Sequence, residues 1–216
     1  MCGRFALNAS GEKIARALEA DDIPESTASF NIPPGTHQLV ACLDDDLKVR
    51  FQALWWGFRP PWAGEDAPRP INARAEKVAR SPFFRDAFAR RRCLIPASGW
   101  YEWQNRDGDK QPHYVTNDSD LMWFAGIYDP PRTDSEGCFA IITQPAARPI
   151  AHLHPRMPLV LDPGCLRDWL DPSRQEREAV KAVTRPLAPA RLRAWPVDPR
   201  VNRPANDDAE LIEPLG

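Results

Sequence analysis

The second residue of the chain combines two reactive groups on adjacent carbon atoms. The sequence begins Met1-Cys2-Gly3-Arg4, and cysteine is small enough for the initiator methionine to be removed in front of it. Cys2 would then carry a free α-amine, with an ordinary pKa of about 7.7–8.0, beside a thiol whose pKa of about 8.5 falls near cations. Such an aminothiol condenses with an aldehyde, first as an imine and then as a thiazolidine ring. We therefore expect an exposed, nucleophilic Cys2, although a cysteine at position two is often idle and disordered.

A glutamate and a histidine lie in surroundings that suit proton transfer. Glu102 stands between two aromatic residues in an otherwise apolar run. If it is buried, its pKa rises toward that of a general acid–base, whereas on an edge strand it would point to solvent. His154 precedes Arg156, which suits proton transfer beside an anionic substrate. His152 and His154 have no cysteine or acidic partner at ligand spacing, so we predict no metal.

Asparagine, arginine and tryptophan residues indicate an anionic, base-containing ligand. The Asn72 amide is able to orient a nucleophile while Arg74 binds phosphate, although asparagine is also an ordinary turn residue. Eight tryptophans suit stacking of unpaired bases, a contact worth about 1–3 kcal/mol per base. Core packing is the alternative for most of them, and Trp62, in a polar proline-rich loop, is the best candidate for exposure.

Charge is unevenly distributed along the chain. Between Arg69 and Arg92 there are eight basic residues against Glu76 and Asp86, although the whole chain has a net charge of −2. This predicts an anion-binding face, while a solvated helix face would have a similar composition.

The elements that must position these residues are short, because 24 prolines are spread along the chain. Helices are predicted after Ser10, after Ser81-Pro82, after Asp162-Pro163 and over Arg174–Val183. Strands are predicted over the following β-rich runs: Gln38–Leu43, Leu47–Trp55, Gly99–Gln104, His113–Thr116, Leu121–Tyr128, Cys138–Thr143 and Met157–Leu161. A hairpin turn is predicted over Asn105–Gly108. We expect one α+β domain over residues 1–216, with a curved, barrel-like, mostly antiparallel sheet and a few peripheral helices.

Composition narrows the functional class further. No apolar run approaches the roughly 20 residues of a membrane span, and no secretory signal opens the chain, so a cytoplasmic protein is expected. Five scattered cysteines argue against a disulfide framework and a zinc site, and four of them suit buried positions. The sequence has no glycine-rich phosphate loop, and we expect no nucleotide cofactor.

Taken in order, these segments resemble the SOS-response-associated peptidase family, whose members crosslink to abasic sites. The resemblance runs through the following motifs: Met-Cys-Gly-Arg-Phe, Asn-Ile-Pro-Pro-Gly-Thr, Trp-Gly-Phe, Ile-Asn-Ala-Arg-Ala-Glu, the runs Cys93–Trp103 and His154–Val160, and Ala-Glu-Leu-Ile near the end. It covers nearly the whole chain. The family has members with a second tryptophan where Ala63 follows Trp62, and often an acidic residue at Pro155.

The resemblance implies a site and a partner. Cys2, freed by autoproteolytic loss of Met1, would form a thiazolidine with the ring-opened sugar of an abasic site in single-stranded DNA. Asn72 would position Cys2, Glu102 would act as general acid–base in ring opening and in loss of Met1, and His154 would protonate the sugar oxygen and promote reversal. Arg4, Arg74 and Arg156 would bind phosphates that flank the lesion. The DNA strand would be lined or wedged by Asn31, Pro34, Trp62, Trp103 and Thr143. The implied protein is a DNA-repair monomer without cofactors, associated with the nucleoid when bound to DNA.

Two other classes remain as alternatives. An amidotransferase with an amino-terminal cysteine nucleophile also begins Cys-Gly, but this chain has no second synthetase domain and no recognisable glutamine-binding motif. A non-catalytic single-strand binding module would not need Cys2, and its binding would survive a Cys2→Ser substitution.

Overall fold

The computed structural model describes residues 2–106, 108–133 and 135–215. Thirteen strands are present in these ranges: β1 Phe5–Leu7, β2 Ser29–Ile32, β3 His37–Leu43, β4 Val49–Trp56, β5 Asn72–Arg74, β6 Arg92–Ala97, β7 Gly99–Arg106, β8 Asp109–Thr116, β9 Met122–Asp129, β10 Cys138–Pro145, β11 Arg156–Pro158, β12 Val160–Leu161 and β13 Arg193–Pro196. The four α-helices there are α1 Gly11–Ala17, α2 Arg85–Arg90, α3 Leu166–Leu170 and α4 Arg177–Val183. Short 3₁₀ turns connect several of these elements.

The strands form two sheets rather than the single sheet expected. One sheet has five strands in the order β13-β8-β7-β1-β2, and the other has eight, along the path β11-β10-β4-β3-β6-β9-β12 with β5 on β10. In the second sheet β10 also pairs with β9, which closes a ring of pairings through β4, β3 and β6. Among the strand pairs described, β10 is parallel to β4 and to β5, and all the other pairs are antiparallel. The α+β class with a curved, mostly antiparallel sheet and a few short helices is therefore confirmed.

The two faces of β7 point into different parts of the core, because side chains alternate along a strand. Trp100 packs into the larger hydrophobic cluster, with Cys2 and Phe5, whereas Tyr101 and Trp103 pack with the smaller cluster beneath the carboxyl-terminal segment. Glu102 shares the face of Trp100. The carboxylate is thus carried on a central strand of the five-stranded sheet, and the edge-strand alternative is wrong.

Helix starts follow the capping signals in part. The Ser10 hydroxyl accepts from the Lys13 N–H and caps α1, as predicted, and Asp162 caps the 3₁₀ turn that leads into α3. By contrast, Ser81 opens a turn and α2 begins only at Arg85. Helix α4 starts at Arg177, three residues after the predicted Arg174.

The hairpin between β7 and β8 is confirmed, since Arg106 pairs with Asp109 across it. Asp107, within the predicted turn, lies outside the described residues. No helix in the described part of the chain is both long and apolar enough to cross a membrane.

Candidate functional site

Strand β1 lies beside β7 in the five-stranded sheet and brings the amino terminus next to it. Phe5 pairs with Trp100, and the Tyr101 N–H donates to the Arg4 carbonyl at 3.0 Å. Antiparallel pairing runs the two chains past each other, so Cys2 is brought toward Glu102. The amide of Asn72, the first residue of β5, donates to the Cys2 carbonyl at 2.9 Å. Asn72 is therefore a strand residue in contact with the nucleophile candidate and not a turn residue.

The expectation of an exposed Cys2 is wrong. Its side chain is 0% exposed and belongs to the main hydrophobic cluster. Burial, followed by the negative charge of Glu102, raises the pKa of the Cys2 thiol, whereas the sequence led us to expect neighbouring cations to lower it. The thiol is consequently held in its protonated form, and it needs a base to become a nucleophile.

Glu102 is the buried carboxylic acid of the site. Its side chain is 2% exposed, and burial raises its pKa to about 7. A group that is half protonated near neutral pH can both take up and release a proton, as general acid–base catalysis requires. The sequence analysis expected a raised pKa only if Glu102 is buried, and Glu102 is buried.

His154 approaches the same place from the loop before β11. Its Nδ1 lies 3.0 Å from both the backbone nitrogen and the backbone oxygen of Arg156. That nitrogen finds a backbone partner whether or not it is protonated, so the ring keeps its orientation when it changes charge. Partial burial lowers the pKa of His154, which favours the neutral imidazole at neutral pH.

Glu102 and His154 line a cleft of about 460 Å³ together with Trp103 and Lys110. The exposed side chain of Lys110 was missed by the sequence analysis. The hairpin would have indicated it, because Asn105 pairs with Lys110 and places the lysine three residues along the hairpin from Glu102. An ammonium group there adds positive charge to a cleft that otherwise has a buried acid and a neutral histidine.

Arg156 is already engaged in an ion pair. Its guanidinium binds both carboxylate oxygens of Glu76, at 2.6 and 3.1 Å, and also the backbone oxygen and hydroxyl of Thr143. The Thr143 side chain is 0% exposed. Thr143 therefore holds the Arg156 guanidinium from inside the fold and does not itself line the surface. A phosphate that bound Arg156 would have to share its guanidinium with Glu76.

Asn31 holds the carboxyl-terminal segment rather than facing solvent. It is 1% exposed, and its amide donates to the carbonyls of Val201, Arg203 and Asn206. Its Oδ1 accepts from Arg4 at 2.7 Å, and Arg4 also donates to the Val201 carbonyl. The expectation that Asn31 lines a bound strand is wrong, because its polar atoms are used inside the fold. The half-buried Arg4 is fixed by the same contacts.

Four of the residues expected to contact DNA lie at or near the surface. Trp62 is 63% exposed, with its ring edge-on to Phe83. Trp103 is half-buried at the cleft, and its indole N–H donates to the Asn202 side chain. Arg74 is exposed and Pro34 is half-buried.

Some of the basic residues between Arg69 and Arg92 are buried or engaged in ion pairs. Arg92 is 2% exposed, and its guanidinium donates to backbone carbonyls of α2 and α3. Arg69 pairs with Glu136, and Arg91 pairs with Asp129. Part of this charge therefore stabilises the fold, while Arg74, Lys77, Arg80, Arg85 and Arg90 are exposed.

A family model and several curated relatives of this chain indicate the same family. A family model described as SOS response associated peptidase (SRAP) matches residues 1–204. The chain is 34% identical to the abasic site processing protein YedK of Escherichia coli, with full coverage of both chains. It is 32% identical to the abasic site processing protein YoqW of Bacillus subtilis over 99% of each chain. It is 31% identical to the abasic site processing protein HMCES of Gallus gallus, covering 100% of this chain and 78% of that one.

Solved structures share the fold. A Bacteroides thetaiotaomicron protein superposes with a TM-score of 0.84 at 22% identity, covering 99% of this chain and 100% of the other. A phage-related protein of Bordetella bronchiseptica gives a TM-score of 0.75 at 29% identity, covering 91% and 94% of the two chains.

Proposed function

Because this chain belongs to the SOS response associated peptidase family, we propose that it captures abasic sites in single-stranded DNA as a covalent thiazolidine crosslink through Cys2. The observation that carries the proposal is how the four groups lie together. Glu102 and His154 line one cleft, the charge of Glu102 acts on the buried Cys2 thiol, and Asn72 donates to the Cys2 carbonyl. The protein then works as a monomer without a cofactor in the cytoplasm, at the nucleoid when DNA is bound, and shields the lesion during the response to DNA damage.

The first step is hydrolysis of the peptide bond between Met1 and Cys2, which frees the α-amine. Glu102, with a pKa of about 7, is suited to take a proton from the attacking water and give it to the departing amine. Asn72 holds the Cys2 carbonyl during this change. Its Oδ1 is buried and has no hydrogen-bond partner among the described residues, so it offers an acceptor to the newly freed amine.

The second step joins the amine to the lesion. The abasic sugar opens to an aldehyde, the amine adds to the carbonyl carbon, and water leaves as the imine forms. The Cys2 sulfur then attacks the imine carbon and closes the thiazolidine, and its proton passes to the imine nitrogen. Because burial keeps the thiol protonated, the amine acts first and the thiol second. His154, neutral near pH 7, is the group that we assign to the sugar oxygen.

The purified, active protein is expected to lack Met1. Intact mass spectrometry should give the chain mass less one methionine. After incubation with an abasic single-stranded oligonucleotide, the adduct mass should equal protein plus oligonucleotide less one water. An active protein that retained methionine while crosslinking would contradict the mechanism, because a peptide-bonded nitrogen does not form an imine.

Binding is expected to favour single strands and to weaken with salt. Stacking on Trp62 needs unpaired bases, and an arginine that neutralises a phosphate releases a counterion. Arg74→Ala should reduce the slope of log affinity against log salt by about 0.7, the value for one contact with a single strand. Titrations of undamaged single-stranded and duplex oligonucleotides at several salt concentrations measure both effects.

Arg50→Ala is the matched control for this titration, because Arg50 is already paired with Asp22 and Asp44. Its slope should equal that of the unmodified protein. Equal affinity for intact duplex and single strands would rule out base stacking as the basis of binding.

A further inference from the structure

The glutamate that ends the Ile-Asn-Ala-Arg-Ala-Glu motif, Glu76, lies against arginines that the family resemblance assigns to phosphate. Both of its carboxylate oxygens accept from Arg156, at 2.6 and 3.1 Å. In the register of β5 and β10, Arg74 pairs with Thr143, and the Thr143 carbonyl accepts from Arg156 at 2.6 Å. The hydrogen bonds from Arg156, and to a smaller extent the charges of Arg156 and Arg74, lower the pKa of Glu76. The carboxylate is therefore an anion bound to one of these arginines and within the field of the other.

This ion pair stands beside the cleft that Glu102 and His154 line. Arg156 follows His154 by two residues, and its backbone holds the His154 ring through Nδ1. Burial is the main cause of the lowered pKa of His154, and the positive charge of Arg156 contributes to it, so the guanidinium lies within electrostatic reach of the imidazole. A phosphate bound at Arg156 would therefore lie close to a sugar that enters the cleft.

The two partners of the ion pair differ in how firmly they are held. The Arg156 side chain is 14% exposed, and the carbonyl and the hydroxyl of Thr143 both accept from it. The Glu76 side chain is 48% exposed. An ion pair that is open to water on one side adds little to stability. Glu76 is therefore able to turn into solvent at small cost, whereas Arg156 stays in place.

Glu76 and a phosphate compete for the same edge of the guanidinium. An arginine binds a carboxylate and a phosphate in the same way, through two parallel N–H groups on one edge. The edge formed by the two terminal nitrogens of Arg156 is the one that Glu76 occupies. The other edge includes Nε, which is buried. A phosphate that arrives from solvent must therefore take the edge that Glu76 holds in the free protein.

We propose that Glu76 occupies a DNA phosphate site in the free protein, and that a backbone phosphate beside the lesion displaces it from Arg156 when DNA binds. Glu76 thereby lowers the affinity for single strands, undamaged ones included, because binding has to break the ion pair first. No covalent bond changes in this exchange, in which one anion replaces another at the same guanidinium. The inference rests on the proposed function, since it concerns how the DNA of that reaction is held.

The test is a titration of wild type and Glu76→Gln with an undamaged single-stranded oligonucleotide, at several chloride concentrations and without phosphate in the buffer. Glutamine keeps the length of the side chain and removes its charge. The variant should bind about two- to fivefold more tightly, which is the size expected for one partly exposed ion pair. The slope of log affinity against log salt should equal that of wild type, because the same phosphate is neutralised in both proteins.

Replacing Arg156 shows whether the gain comes from that guanidinium. Arg156→Gln removes the charge and keeps an amide that can donate to Thr143. Its salt slope should be smaller by about 0.7, the value of one phosphate contact with a single strand. In this background Glu76→Gln should give no further gain, since no guanidinium is left to release. Thermal melting checks the fold of each protein, and Glu76→Ala or Arg156→Met replaces a variant that does not fold.

Asp118→Asn is the matched control for the change in net charge. The Asp118 side chain is 46% exposed and accepts two hydrogen bonds from Arg191, at 2.9 and 3.1 Å. It is thus also a half-exposed carboxylate paired with an arginine, and neither residue belongs to the proposed site. Its affinity for the oligonucleotide should equal that of wild type. A gain as large as that of Glu76→Gln would overturn the proposal, because it would reflect net charge alone.

Other results would refute the displacement while leaving the proposed function intact. An unchanged or lower affinity of Glu76→Gln would mean that Glu76 orients Arg156 and does not compete with DNA. A slope that rises by about 0.7 in this variant would mean that Glu76 stays on Arg156 when the wild type binds DNA. An equal gain in the Arg156→Gln background would assign the effect to another cation. The proposed function fails on a separate observation, namely that the wild type forms no adduct through Cys2.

Discussion

Cys2→Ala is expected to abolish the heat-stable adduct with abasic single-stranded DNA. The variant keeps its α-amine and therefore still forms an imine, but it has no sulfur to close the ring. Imines hydrolyse readily, so the product should disappear on heating in denaturant and should be visible only after trapping with borohydride. Strand cleavage at the abasic site is expected as a side reaction. Denaturing gels with and without borohydride measure both products.

Cys42→Ala is the matched control, because Cys42 is also a free, buried cysteine, 1% exposed. This variant should crosslink at the wild-type rate. Another residue would have to be the nucleophile if Cys2→Ala gave the same heat-stable adduct at that rate.

Glu102→Gln should slow crosslinking by the roughly 10²–10⁴-fold that general acid–base catalysis contributes. The amide has nearly the shape of the carboxyl group but does not exchange protons. Because Glu102 is also assigned to the loss of Met1, rates are compared on protein that intact mass spectrometry shows to lack Met1, in which both reactive groups of Cys2 are in place. Single-turnover rates with the natural abasic site measure the effect. With an open-chain aldehyde oligonucleotide, the difference from wild type should shrink. An equal loss on both substrates would show that Glu102 acts after the sugar has opened.

The same substitution is expected to stabilise the fold. The pKa of Glu102 is about 7 in the folded protein and ordinarily 4.5, so between these values the folded state binds more protons than the unfolded state. Stability therefore falls as the pH rises through that window, by at most about 3 kcal/mol for this group. Glutamine has no such cost, and thermal unfolding of Glu102→Gln and wild type should diverge from pH 5 to pH 8. Parallel melting curves would contradict the buried titration.

The sequence predicted which residues lie close together better than it predicted the sheets around them. Motifs at Cys2, Asn72, Glu102 and His154 identified residues that the structure brings together, because each has a side chain with recognisable chemistry. Strands β1, β2, β5, β6 and β13 were not predicted. Four of them are three or four residues long and too short for a period-two pattern, whereas the six-residue β6 is buried along its whole length and shows no alternation. Their pairing partners lie far away in the sequence.

The environment of each group was harder to predict than its identity. Cys2 was expected to be exposed, since chain ends usually are, but pairing of β1 between β2 and β7 draws it into the core. Asn31 is the first residue of the Asn-Ile-Pro-Pro-Gly-Thr motif. Its amide nevertheless binds three backbone carbonyls of a segment about 170 residues away, so it holds that segment in place. No pattern in the neighbouring residues predicts hydrogen-bond partners so distant in the sequence.

The contacts of Asn31 and Arg4 have a consequence for reactivity. A chain end normally samples many conformations, and a nucleophile placed there would lose that freedom each time it met its target. Here Arg4 is tied through Val201 to the carboxyl-terminal segment, and Asn31 holds that segment at three points. The entropy of ordering the residues next to Cys2 is therefore lost once, when the chain folds. In the proposed reaction, the DNA would therefore meet a nucleophile whose direction of approach is already fixed, and that rigidity is supplied by the opposite end of the same chain.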